Sequence, residues 1–583
     1  MQDCARGADA CKAVKRLTFL LAAIAAASVL AGPASASGNP FGVTMVRFSA
    51  QTTPTQMRSA VTAAGGVVVA DLSAIHALAV VPRSPGFDAR LGSSRSVTAL
   101  FQDSLFTSDR SADGSRGGVR ASGPGDAKAD DLLADPWHGL FQWDDDRMNV
   151  PSAWKHTTGD KSVAVAVIDT GVDATHHELQ GVVDKTLGGN FIPCADLKAL
   201  FGLGFIDRAG LRDCRDGDFE GHGTWVASRI AGALNGFASN GVAPGVRIGS
   251  YKVMAAGLGG LSSWILSGLV AACSDSRIDI VNMSIEGYVD PSDASSVQDY
   301  LLFADAVDYC RSRGVPVFAA AGNEHVRVDR VAMTLGGRQL EGVGRVATGN
   351  DGIATVSPGS ASVADYDLRG WLPVPGGVPG VTMVSATANA IGAAPPSVPL
   401  RWQAHVGARD QLAYYSNYGS RIDLAAPGGA RHYEIPGYDG GDGDVLAGGW
   451  GSFGALAANG LICNDPFAGS SFNSACFTLR GDGFGWLQGT SMASPNAAGV
   501  AALVLSSHRE LLGRPAALVE RLAATTQRSF VNYMGPNDPA NSAPALDGTP
   551  CLTAFCHVDQ AHPIAFSDAY GAGLVDAGAA VGD

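Results

Sequence analysis

Positive charge is scarce in this chain of 583 residues and nowhere clustered: 41 Lys and Arg stand against 55 Asp and Glu, a formal net charge of -14. Nucleic-acid binders gather Lys and Arg on one face, so nucleic acid is excluded as a partner. Charge of either sign is sparse at 16%, whereas apolar residues reach 46%, enough for a buried core and unlike the composition of disorder. No two CxxC or HxxxH elements occur together, which removes a zinc site. Beyond one apolar run near the start, no later stretch is long and apolar enough to cross a bilayer, and no Cys follows that run to carry a lipid. No internal repeat appears. The length exceeds one ordinary domain and predicts two folded units, a large α/β core with a small accessory domain.

The apolar run lies near the start. Lys12, Lys15 and Arg16 precede Leu17–Ala31, and Ala34-Ser35-Ala36 supplies a small-residue cleavage signal. A run of about 15 residues falls short of the roughly 20 a span needs, so residues 1–36 read as an export signal rather than an anchor. Its removal would take Cys4 and Cys11 and leave eight of the ten cysteines, an even number that favours disulfides in an exported protein. Chain order suggests Cys194 with Cys214, Cys273 with Cys310, Cys463 with Cys476, and Cys551 with Cys556. Eight cysteines allow roughly a hundred pairings, and free buried thiols remain the rival reading.

Residues 37–109 predict a small α+β unit with its core at about 42–82: a strand at Val43–Ser49, a helix at Thr53–Ala64, the turn Gly65-Gly66, then strands at Val67–Ala70 and Ala77–Val81. Residues 110–134 are rich in Gly, Ser, Asp and basic residues without apolar periodicity, as expected of an exposed, easily cut linker. From 135 to 583 strands and helices alternate. Val163–Ile168, Ile278–Met283 and Pro316–Ala321 read as buried parallel strands, and Ser262–Ser274 and Ser296–Arg313 as helices between them. The pattern predicts a doubly wound parallel sheet flanked by helices. Gly-rich or irregular stretches at about 191–220, 325–379 and 431–484 read as surface insertions.

Three segments gain meaning together. Val165 to Asp173 (VAVIDTGVD) is a buried strand that ends in a carboxylate. Gly221 to Ser228 (GHGTWVAS) sets a histidine between glycines at a helix start. Gly489 to Pro495 (GTSMASP) leads into a small-residue helix. A Ser hydroxyl is a poor nucleophile without a base, and the base needs an orienting carboxylate. Asp169, His222 and Ser491 supply one part each. The helix start beside Ser491 favours an oxyanion. A fourth segment, Ala319 to Glu324 (AAAGNE), offers the Asn323 amide as a second oxyanion donor. No GxSxG elbow surrounds Ser491, which argues against a lipase.

The segments DTGVD, GHGTWVAS and GTSMASP, in the order Asp, His, Ser, resemble the three signatures of the subtilisin-like serine peptidases. GVAP at 241–244, VNMS at 281–284, SNYG at 416–419, AAPG at 425–428 and GAGLVD at 571–576 are similar as well. The resemblance implies a serine endopeptidase with the triad Asp169, His222 and Ser491, and Asn323 at the oxyanion. It implies protein or peptide substrates held along Ser284, Ile285, Glu286 and Gly287. It also makes the 37–109 unit resemble a propeptide, an intramolecular inhibitor cut away on maturation, where an ordinary accessory domain is the rival. A secreted or periplasmic monomer without a catalytic cofactor is expected. Two positions depart from the family. Trp225 stands where a second histidine is usual, and Glu286 where Gly is usual, either favouring basic substrate residues or facing solvent. Relatives bind structural calcium before the GVAP-like segment, and Glu178 and Asn235 are the candidate ligands here. The rival function is a silent, peptide-holding relative.

Overall fold

The computed structural model describes residues 41–106, 142–201, 216–354, 366–389, 409–413, 415–429, 451–464, 476–528 and 564–582. The export signal, the linker, Cys214, Cys551 and Cys556 lie outside them.

The N-terminal unit is an antiparallel sheet of β1 (Thr44–Phe48), β2 (Gly66–Leu72), β3 (Ala77–Pro82) and β4 (Val97–Gln102), in the order β2-β3-β1-β4. Helix α1 (Pro54–Ala64) starts at a capping box, with Gln56 N–H donating to Thr53 Oγ1 and Thr53 N–H to Gln56 Oε1. Met57 and Val61 on its inner face pack against Val46 and Leu78. The unit runs past the expected core through a short helix at Phe87–Gly92 to β5 (Leu105–Phe106).

The large unit is built on eight strands: β6 (Ala164–Asp169), β7 (Val183–Asn190), β8 (Arg247–Lys252), then β10 (Ile280–Met283), β12 (Val317–Ala320), β13 (Val381–Asn389), β14 (Arg409–Leu412) and β15 (Leu424–Pro427); β9 (Gly260–Leu261) and β11 (Gly287–Val289) stand apart from the sheet. Their order is β14-β13-β12-β10-β6-β8-β7, with β15 also on β13, and all pairs are parallel except β13–β14. Both faces of β6 are apolar because both are covered. Ala164, Ala166 and Ile168 face α3 (Ser262–Ser274) and α4 (Ala294–Ser312), while Val165 and Val167 face α2 (His222–Ala231) and α5 (Thr490–Ser507). The doubly wound expectation holds.

Helix α5 begins at Thr490, within the GTSMASP segment rather than after it, so Ser491 lies in its first turn. The regions read as surface insertions are partly core. Strands Ser452–Leu456 and Asp482–Leu487 pair antiparallel and bury Phe453, Ala455, Leu456 and Phe484. Their Gly content, which reads as irregular, lets them lie flat on α2: a Cβ at Gly454 would come 2.9 Å from the Trp225 indole nitrogen. Val328–Leu335 and Arg338–Val346 form a hairpin with Val328, Val343 and Val346 buried. Disulfides join Cys273 to Cys310, clamping α3 to α4, and Cys463 to Cys476, as expected. Cys194 is also disulfide-bonded.

Candidate active site

Asp169 is the last residue of β6 and fully buried. Its Oδ1 accepts from His222 Nδ1 at 2.8 Å and from Thr170 N–H at 2.7 Å. His222 opens α2, and the approach requires glycine at 223, where a Cβ would come 2.1 Å from the Gly171 carbonyl oxygen and 3.1 Å from Asp169 Cβ. Asp218 pins the start of α2, accepting Gly221 N–H and Thr170 Oγ1 on Oδ1 and Thr224 N–H on Oδ2.

Burial works against the His222 imidazolium, but the Asp169 charge and hydrogen bond, with Glu220 and Asp218 behind them, outweigh it and hold its pKa up at about 9. Glu220 is itself pushed up to about 7 by burial, against the pull of His222. Glu220 stands only two residues before His222, but nothing in the sequence marks it as a buried carboxylate. The imidazole keeps 21% of its surface exposed, an opening toward the cleft.

Helices α2 and α5 are locked together by Arg229, fully buried. Its Nε donates to Asn496 Oδ1 at 3.3 Å and its Nη2 to Asp145 Oδ1 at 2.6 Å. Trp225, in the helix turn after His222, donates to Gly485 O and packs under the Ser452–Leu456 strand, so the departure from histidine is filled by core. Ser491 Oγ donates to Ser284 O at 3.3 Å, and Ser284 Oγ returns a bond to Ser491 O at 2.7 Å. The serine hydroxyl thus rests on the 284–287 edge, and turning about χ1 redirects it.

Asn323 follows β12 through Gly322, whose φ of +106° suits glycine and where a Cβ would meet the Asn417 amide at 2.2 Å. Asn323 Oδ1 accepts from Thr490 N–H at 2.8 Å, and the other end of the amide, Nδ2, donates to Glu286 Oε1 at 3.2 Å. The half-buried Glu286 therefore faces the site rather than solvent. Ser284, Ile285 and Gly287 are buried along the same edge.

The structure places Glu178 and Asn235 together, but as a closed contact. Glu178 Oε1 accepts Ala238 N–H at 3.0 Å and Ser239 N–H at 2.7 Å, Oε2 accepts the Asn235 amide at 3.1 Å, and Asn235 Oδ1 accepts Phe237 N–H. Donors that aim hydrogens at the carboxylate do not fit a cation. Among the described residues no cluster of His, Cys, Asp or Glu could hold a metal.

The family model of the subtilases matches residues 160–573, which take in Asp169, His222, Asn323 and Ser491. The chain belongs to the subtilase family. It is similar to subtilisin amylosacchariticus of Bacillus subtilis subsp. amylosacchariticus, 26% identical over 347 residues that cover 60% of this chain and 56% of that one. It is also similar to the major intracellular serine protease of Bacillus subtilis (strain 168), 32% identical over 178 residues, 30% of this chain and 48% of the relative. The match thus spans about half the length of these subtilases. Among solved structures, the epidermin leader peptide processing serine protease of Staphylococcus aureus superposes with a TM-score of 0.55 at 17% identity, covering 92% of this chain and 97% of its own; at that identity the likeness is one of fold. No helix among the described residues is long and apolar enough to cross a membrane.

Proposed function

We propose that this subtilase is an exported serine endopeptidase, made as a precursor that cuts itself. The observation that carries the reading is the 2.8 Å bond from His222 Nδ1 to the buried Asp169, which leaves Nε2 as the ring nitrogen to act as base. His222 Nε2 takes the proton from Ser491 Oγ as Oγ attacks the scissile carbonyl. The oxyanion draws on Ser491 N–H, one of the first-turn groups without a helical acceptor, and on Asn323 Nδ2. The imidazolium, stabilised by Asp169, then protonates the leaving amine, and water releases the acyl group by the same steps in reverse order. No step calls for a metal or cofactor.

The N-terminal unit acts as inhibitor and chaperone, its natural partner being the peptidase it is joined to. Three contacts support this. Arg47 pairs with Asp305 of α4. Asp103 accepts Ser263 N–H at the start of α3. Strand β5 pairs antiparallel with β9, Leu105 opposite Leu261 and Phe106 opposite Gly260, a few residues from Gly257, whose N–H donates to Glu220. An added strand of this kind is how a substrate peptide would bind. The mature enzyme works as a monomer outside the cytoplasm, released from residues 1–36 and then from the unit before the 110–134 linker.

The test is to express the precursor with and without Ser491→Ala and follow self-cleavage and casein hydrolysis before and after a serine-directed phosphonate. Cleavage near residues 110–140 and inhibitable hydrolysis, both lost in the variant, are expected. An inert, folded wild type would replace this reading with a silent peptide-holding protein.

A further inference from the structure

The oxyanion donor of this site carries an anionic neighbour. Thr490 N–H and Oγ1 both hold Asn323 Oδ1, so the amide cannot flip and Nδ2 must face Glu286. The Glu286 carboxylate engages one hydrogen of the same amide group that the oxyanion calls upon. A second carboxylate stands on the other side: Glu324 Oε2 accepts Asn323 N–H at 3.0 Å and the Tyr288 hydroxyl. Burial and then the charges of Glu324 and Glu286 push Tyr288 well above the usual tyrosine range, which places both acids within electrostatic reach of one buried ring.

This arrangement opposes the chemistry it adjoins. A tetrahedral oxyanion on Asn323 Nδ2 forms one hydrogen bond away from an existing negative charge, in a cleft where like charges repel more than in water. Catalysis then gains from a cation placed beside Glu286. The position decides where that cation comes from. Ser284, two residues before Glu286, receives the Ser491 hydroxyl, and Gly287, one residue after it, carries the Phe106 ring. A chain lying on this edge passes Gly287 and then Glu286 just before it reaches Ser491. Glu286 is half-buried with its Oε2 covered in the precursor, where the Phe106 ring lies on the next residue, so a long side chain reaches the carboxylate once the N-terminal unit has left the edge.

We infer that Glu286 makes this enzyme select Lys or Arg at the residue whose carbonyl is attacked, and that the ammonium or guanidinium acts on turnover as well as on binding by neutralising the charge beside the oxyanion. The inference rests on Ser491 and Asn323 acting as proposed above. Two consequences separate it from simple charge attraction. A basic residue raises kcat as well as lowering KM, since the repulsion it relieves grows in the transition state. Removing the charge has opposite effects on two substrates: Glu286→Gln slows cleavage after Arg and speeds cleavage after Leu.

The test uses the matured enzyme and quenched peptides identical except for Arg, Lys, Gln or Leu before the cut. Wild type is expected to prefer Arg over Gln in kcat/KM by about tenfold or more, with part of the difference in kcat. Glu286→Gln should abolish the preference and raise kcat for the Leu peptide, Glu286→Asp should keep part of it, and Glu286→Gly should behave as the Gln variant. Ser491-dependent cleavage without a preference for Arg or Lys overturns this inference alone, and the wild-type panel is enough to show it. Cleavage that persists in Ser491→Ala overturns the site assignment and this inference with it.

Discussion

The ring of Phe106, at the end of the N-terminal unit, lies against Gly287 so closely that a Cβ there would come within 2.1 Å of its Cδ1. The same ring meets Phe303 edge-on at 5.7 Å between centroids. One aromatic residue thus joins the N-terminal unit to the edge that carries Ser284 and Glu286.

Phe106→Ala should loosen that joint. A buried aromatic anchor is worth about 2 kcal/mol or more to an interface. The separately made N-terminal segment carrying the change is expected to inhibit the matured enzyme at least tenfold more weakly than the unchanged segment, read as an inhibition constant on a peptide substrate.

Asp169→Asn should leave the fold intact and remove the charge that orients His222. By analogy with other triads, kcat is expected to fall by about four orders of magnitude, measured on a quenched peptide alongside an unchanged circular dichroism spectrum.

The pH profile follows from His222. Its pKa is raised to about 9, and the base works only when neutral, so kcat/KM should climb with pH through that region. The stability from the His222–Asp169 pair runs the other way, present in full below the ordinary histidine value and lost as pH rises through about 9. Glu220→Gln deletes one of the charges that raise His222 and should shift the limb toward lower pH.

Docking of the N-terminal unit should also depend on pH. Burial, with the nearby Asp299 charge adding to it, raises Asp103 to about 8 despite its bonds to Ser263. The docked state thus holds a proton that the separated unit gives up near the ordinary Asp value, and affinity is expected to fall as pH rises between that value and about 8. Inhibition by the segment measured from about pH 5 to 9 should show the fall, and Asp103→Asn should flatten it.

Trp225→Ala should destabilise the large unit by about 3 to 5 kcal/mol, because the indole is fully buried beneath the Ser452–Leu456 strand. Urea unfolding of the Ser491→Ala background, free of self-digestion, measures it.

The parallel sheet was legible because β12, β6 up to Asp169 and β10 apart from Asn282 are apolar runs, and Asp169, His222 and Ser491 because each lies at the end or start of an element with distinctive neighbours. What the sequence hid was contact between distant segments. Asp103 meets Ser263 across 160 residues, and nothing local marks either as a partner. Glu220 has no signature, since its effect on His222 comes from burial beside Asp218 and Asp169. The strands at Ser452–Leu456 and Asp482–Leu487 looked irregular because Gly and small residues, which depress strand propensity, are what a flat packing over Trp225 requires. Glu286 was visible as a departure, but its turn toward Asn323 depends on Thr490 fixing the amide.

Helix α5 is buried without interruption from Thr490 to Leu505. Segments that open by local fluctuation are those with exposed backbone and few apolar contacts, and this one has neither. Ser491 is therefore mounted on one of the last parts of the molecule to come apart. Loss of its alignment should coincide with collapse of the whole unit, so hydrolysis and native tryptophan fluorescence would disappear together as denaturant is raised.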